Sequence, residues 1–181
     1  MSLFLDRLLR AARLDAGLYV EVVEDTRAML QAMMAVFIYS AASAYGNFGR
    51  AGVTGINFGM ITTLFGWYVW AFSSYFIGVR LLSGAQSGVD RKAVLRALGF
   101  ATSPGLIRIL GLIPGMSGTI FLVASFWMIV AAIVALKQAL GFESTSRAAV
   151  ACIIGWIIST IFQGLLYFLL LSAFGISSTP F

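Results

Sequence analysis

Histidine does not occur in this chain of 181 residues, cysteine occurs once, and only 10% of the residues are charged. Without histidine the usual general base, the usual haem axial ligand and the commonest zinc ligand are all missing. The single thiol, Cys152, has no partner for an intramolecular disulfide and lies in an apolar run, where a cysteine serves as a small hydrophobe. The scarcity of charge excludes an ordinary soluble domain, which devotes about a quarter of its residues to Asp, Glu, Lys and Arg. The sequence has no Walker loop, dinucleotide fingerprint or metal-ligand cluster, so no catalytic, cofactor-binding or metal-binding residue is assigned and an enzyme is not expected. Its apolar runs contain no Asp or Glu. Membrane-embedded carboxylates often carry cation-coupled transport, so their absence weakens a proton-coupled mechanism without excluding a facilitator.

What the chain does have is apolar length. Hydrophobic residues make up 60% of it and the mean hydropathy is +0.96. A bilayer core about 30 Å thick takes about 20 helical residues to cross. Five runs fit, at about 26–45, 56–82, 97–113, 119–140 and 148–174. The expected fold is therefore all-α: an integral membrane bundle of five transmembrane helices over 26–181, preceded by a cytoplasmic amphipathic helix and acidic connector over 1–25. No repeat, low-complexity tract or separate soluble domain interrupts this plan, and no cleavable signal peptide is expected, since the N-terminal segment is charged rather than continuously apolar.

Residues 3–15 have helical periodicity. Phe4, Leu5, Leu8, Leu9, Ala11 and Ala12 share one face, while Asp6, Arg7, Arg10 and Arg13 share the other. Such a helix either lies in the membrane interface with Arg7, Arg10 and Arg13 toward phosphates or docks on the bundle. Gly17 is expected to end it, and Glu21, Glu24 and Asp25 make the connector acidic. A Gly-rich loop is expected over 46–55 and a polar loop over 83–96. The second run is long enough to require tilt or a kink, and the third is weakened by Ser103-Pro104-Gly105, with a break expected there.

Twelve basic against seven acidic residues give +5 and a pI near 9.8. Because the basic residues flank apolar runs, they fit anionic headgroups better than nucleic acid. Arg7, Arg10, Arg13, Arg27, Arg80, Arg91, Lys92, Arg96, Lys137 and Arg147 fall on one side of a five-span topology, against Arg50 on the other. The positive-inside rule then gives a cytoplasmic N-terminus and an external C-terminus.

Arg27, Arg80 and Lys137 sit within three residues of span ends, whereas Arg108 is the charge deepest inside a span. It lies some five residues before the outer end, roughly 8 Å at about 1.5 Å per residue. Two readings stay open: snorkelling or pairing with backbone carbonyls, and a place in a substrate or lipid path beside the break at Pro104. Gly155, Ser159 and Gln163 recur every four residues, as do Ala131, Ala135 and Ala139, and Gly55 and Gly59 form a GxxxG pair. Small residues at this spacing let helices approach, and an amide such as Gln163 can hydrogen-bond across the contact. Gly115-Met116-Ser117-Gly118 has the form of an intramembrane serine protease motif, but with no histidine to act as base it reads as a turn.

The stretch VLRALGFATSPGLIRIL (94–110), the apolar span carrying Trp127 and the polar break LKQALGFESTSRAA resemble the Yip1 family of membrane proteins. The resemblance covers about residues 20–174. It implies five passes, a cytosolic N-terminus and a non-enzymatic adaptor or membrane-organising role without a cofactor, with membrane lipids and other membrane proteins, in homo- or hetero-oligomers, as partners. The long hydrophilic N-terminal region and the D-L-Y-G-P-like element of eukaryotic members are not reproduced, so GTPase binding is not carried over. The compact form resembles prokaryotic members, which places it in the cytoplasmic (inner) membrane. Two alternatives stand beside the adaptor: a small permease or lipid-handling protein using Pro104 and Arg108, and an accessory subunit of a larger membrane complex.

Overall fold

A computed structural model of the chain describes residues 3–48, 52–82 and 89–173. Arg50, the first part of the polar loop (83–88) and the C-terminal tail lie outside the described residues. Those described are mostly helical, with no strand: α1 (Leu3–Ala12), α2 (Ala16–Glu24), α3 (Ala28–Phe48), α4 (Gly52–Phe76) with a π-helical turn at Ile77–Leu81, α5 (Arg91–Phe100), a 3-10 segment (Ser103–Leu112), α6 (Ser117–Leu140) and α7 (Thr145–Ala173).

Among the described residues, three helices are long and apolar enough to cross a membrane: Ala28–Gly46, Ser117–Leu140 and Thr145–Ala173. A fourth span is obtained if α5 and the 3-10 segment, bent by 42° at their junction, are taken as one. α4 has 25 residues and no charge, yet it is not among these helices. Its glycines, threonines, serines, tryptophans and tyrosines lower its hydropathy, although it exposes Val53, Phe65, Tyr68 and Phe72.

Several local expectations shift for identifiable reasons. Leu14, not Gly17, reverses the chain after α1: it holds a left-handed φ of 62°. The Leu14 and Asp15 amides return to the carbonyls of Ala11 and Arg10, the paired bonds of a Schellman stop. Gly17 instead sits in the first turn of α2, where its N–H donates to the Asp15 carboxylate that caps the helix. The acidic connector is thus a helix, and its Leu18, Tyr19 and Val22 are fully buried. Their i, i+1, i+4 spacing makes an apolar stripe that a charge count overlooks. The Gly-rich segment is helical up to Phe48 and again from Gly52. α5 begins within the expected polar loop because Asp90 caps it, accepting from the Lys92 N–H.

The core runs from α2 through α3, α5 and α6 to the first half of α7. Close approach is set by small residues. A side-chain carbon on Gly99 would meet Ala32 of α3 at 2.8 Å, and one on Gly155 would collide with Ser74 of α4. Ala131 and Ala135 of α6 are fully buried, and Ala139 nearly so. These contacts bring five elements around one interior space.

Candidate functional site

Gly105, Arg108 and Gly111 recur every third residue. A 3-10 helix has three residues per turn, so all three line up on one face of the Ser103–Leu112 segment, and all are buried. In an α-helix the same residues would drift by about 60° at each step. The glycines admit α3 on either side of the arginine, its backbone at Gly111 and a side chain at Gly105. A carbon on Gly111 would lie 2.7 Å from the Gly46 carbonyl oxygen, and one on Gly105 would lie 2.6 Å from the Tyr39 ring. Pro104 starts the segment from its first turn, where its missing N–H is no loss, and is itself fully buried.

The Arg108 side chain turns into the bundle and is only 7% exposed. Nη1 donates to the Tyr39 hydroxyl at 2.8 Å and to Ser43 Oγ at 3.1 Å; Nη2 donates to Ser125 Oγ at 2.8 Å. The guanidinium carbon lies 4.4 Å from the centroid of the Phe121 ring and 5.3 Å from that of Tyr39. Nε is buried with no hydrogen-bond partner. Among the described residues every ion pair belongs to Arg7, Arg10 or Arg96, and no carboxylate meets Arg108.

This cation forms part of the wall of a cavity of about 400 Å³. α3 contributes Tyr39 and Ser43, α4 contributes Thr62, Thr63, Trp67 and Trp70, α6 contributes Phe121, Ser125, Met128 and Ile129, and α7 contributes Trp156, Ser159, Thr160, Gln163, Gly164 and Tyr167. Both α4 tryptophans are fixed by their indole N–H groups, Trp67 to the Leu98 carbonyl and Trp70 to that of Cys152. Ser159 donates to the Gly66 carbonyl at 2.7 Å, and Gln163 Nε2 donates to Ser159 Oγ at 3.0 Å. The exposed lining residues, Phe121, Thr160 and Gly164, all belong to α6 and α7, so the mouth lies between those helices.

Arg108, Pro104 and Gln163, singled out in the sequence, therefore converge: the first and third line the cavity and the second begins the segment that carries the first. Tyr39, Ser43, Phe121 and Ser125 were not signalled, because hydroxyls and aromatics are common in membrane helices and only proximity gives these a role. The threefold spacing of Gly105, Arg108 and Gly111 was the one available clue. Ser117 of the GMSG turn opens α6, away from the cavity lining.

The N-terminal arginines form a separate cluster. Arg7, only 4% exposed, donates to Glu21 at 2.9 Å, to Asp25 at 2.7 Å and to Gln31 at 2.9 Å. Arg10 pairs with Asp15 and Glu21, both at 2.8 Å, while Arg13 is exposed. Hydrogen bonds from Arg10 hold the Asp15 and Glu21 carboxyls below their ordinary range, and the bond from Arg7 does the same for Asp25. Burial opposes the charge of Arg7, but its bonds to Asp25 and Glu21 outweigh it and raise its pKa. Trp127 ties the end of α1 to α6 by donating to the Ala12 carbonyl at 2.9 Å. Buried Arg96 closes the other end of this unit: it donates to the Val22 carbonyl at 2.8 Å and to that of Val23, the open C-terminal carbonyls of α2.

Comparison with family models, with curated proteins and with solved structures finds no match to this chain.

Proposed function

We propose that this is a non-enzymatic integral membrane protein whose bundle binds a ligand combining an anionic group with an apolar body. One observation carries this reading: a buried guanidinium is held by three hydroxyls and no carboxylate, at the wall of an aromatic cavity. Taking a cation out of water has an effective penalty of several kcal/mol, and a neighbouring Asp or Glu is the ordinary remedy. Hydroxyls hold the guanidinium in place but leave its charge uncompensated, which suits a partner that arrives with its own negative charge. Outside the mouth, α6 and α7 expose Leu122, Phe126, Ile161 and Leu165, surfaces suited to lipid, so entry from the bilayer is the natural route. The cavity lining contains no carboxylate, lysine or thiol to do chemistry on such a ligand.

In this reading α3, α4, the α5–3-10 pair, α6 and α7 make five crossings of a prokaryotic cytoplasmic membrane, with the N-terminus inside and α1 running against the bundle as far as Trp127, midway along α6. Labels at the two ends should be reached from opposite sides of sealed vesicles. The role is that of a lipid-handling protein or small permease. The adaptor role implied by the Yip1 resemblance keeps one supporting observation: α7 has no buried residue after Ser159, leaving a long apolar face for a second membrane protein or for lipid. An accessory place in a larger complex would use the same face.

The test is extraction of the purified protein followed by negative-ion mass spectrometry. Wild-type protein should retain one anionic amphiphile in near-stoichiometric amount, and Arg108→Gln should not. Identical extracts, containing only bulk bilayer lipids, would defeat the proposal.

A further inference from the structure

We infer that the ligand is a single-chain amphiphile ending in one carboxylate, not a two-chain phospholipid or a free inorganic anion; this rests on reading the Arg108 cavity as an anion site. The charge count comes first. Among the described residues that line the cavity Arg108 alone is charged, so a monoanion gives a neutral interior, whereas a doubly charged phosphate monoester would leave a net negative charge in a low-dielectric site; a singly charged phosphodiester is excluded by size instead.

The donor count comes second. A guanidinium has five N–H donors in a fixed plane. Three are engaged, two at Nη1 by Tyr39 and Ser43 and one at Nη2 by Ser125. The remaining two are Nε–H and one hydrogen of Nη2, donors enough for the two oxygens of a single anionic group. Nε is closed off from solvent, so some part of its surroundings must yield. Of the side chains that touch Arg108, Phe121 is the most exposed, at 40%, and its ring centroid lies 4.4 Å from the guanidinium carbon.

Size comes third. At about 400 Å³ the cavity is near the small end of ligand pockets. Taking each methylene at the ~30 Å³ that a water occupies in the liquid, it encloses about a dozen carbons, room for one chain of that length and no second beside it. Trp67, Trp70 and Trp156 line the space such a chain would fill.

Those three tryptophans also provide the readout. Bromine-labelled dodecanoate, titrated into the full-length protein in mild non-ionic detergent, should quench its fluorescence saturably. Its apparent affinity should exceed that of the brominated methyl ester by at least about ten-fold, or 1.4 kcal/mol. Unlabelled phosphatidylglycerol and inorganic phosphate should not compete. Arg108→Gln should bring acid and ester to equal affinity, and Arg108→Lys, which keeps the charge but loses the planar fork, should recover only part of the difference. Competition by phosphatidylglycerol at equal strength would overturn the single-chain inference while leaving the anionic-amphiphile reading standing. Competition by phosphate would overturn the inference in favour of a small-anion site. Equal binding of acid and ester to the wild-type protein would overturn both readings, and that comparison needs no variant to fold.

Discussion

Replacing Arg108 by glutamine separates a charge kept for the scaffold from one kept for a ligand. The arginine makes three hydrogen bonds to hydroxyls, each worth about 1.5–3 kcal/mol when the donor is charged. It also has two ring contacts worth about 0.5–2 kcal/mol each. Against this stands the burial of a cation with no carboxylate, several kcal/mol in the opposite direction. Glutamine removes the charge and its penalty, and its amide can still satisfy one or two of Tyr39, Ser43 and Ser125. The two sides oppose each other, so the ligand-free protein should lose no more than about 3 kcal/mol, within the ordinary range for a point mutation. Affinity for an anionic amphiphile should fall far more, since losing one partner of a buried charge pair costs about 2–5 kcal/mol, a factor of roughly 30 or greater. Denaturant unfolding in micelles gives the first quantity and a binding isotherm the second. A stability loss above about 4 kcal/mol with unchanged affinity would show that Arg108 is a structural strut.

Gly46→Ala places a carbon against the Arg108 carbonyl, backbone against backbone, so no rotamer can relieve it. It should destabilise by at least about 1–3 kcal/mol and weaken ligand binding, because separating α3 from the 3-10 segment pulls Tyr39 and Ser43 away from Arg108; unchanged unfolding would contradict the close approach. Below the ordinary carboxylate range, about pH 4, α1 should loosen from α2. Asp15, Glu21 and Asp25 have lowered pKa values in the fold, so their contribution is complete above that range and is lost as pH falls through the depressed values. Faster hydrogen exchange in α1 on acidification, with α6 unaffected, is the expected sign. Gly141→Ala should cost about 1 kcal/mol, since φ is +64° where α6 ends and the Gly141 and Phe142 amides close the helix on Gln138 and Lys137; an unchanged midpoint would refute it.

Apolar length predicted most of the helical content, because a run of about 20 uncharged residues has few alternatives to a helix once its backbone must satisfy itself. The break at Pro104 was legible for a similar reason: a proline after a serine and before a glycine cannot continue an α-helix smoothly. Less visible was α2, whose acidic residues drew attention away from the Leu18, Tyr19 and Val22 stripe. The left-handed Leu14 was not visible at all, since glycine is the residue that normally marks such a turn. Of the site, Arg108 and Gln163 stood out because polar groups are rare in apolar runs. Their neighbours did not, since Tyr39 and Ser125 are ordinary residues until a third element places a guanidinium between them.

By itself, then, the amino-acid order determined helices long and apolar enough to cross a membrane, a bent third apolar run and one charge set inside it, because hydropathy and backbone geometry act over a few residues at a time. Only the tertiary structure decided that this charge faces inward, that hydroxyls from α3 and α6 hold it without a counter-ion, and that α4 and α7 build an aromatic chamber beside it. Those facts depend on distances between residues as far apart as Tyr39 and Arg108, 69 positions along the chain. Local propensity carries no information at that range; the packing of glycine against backbone supplies it.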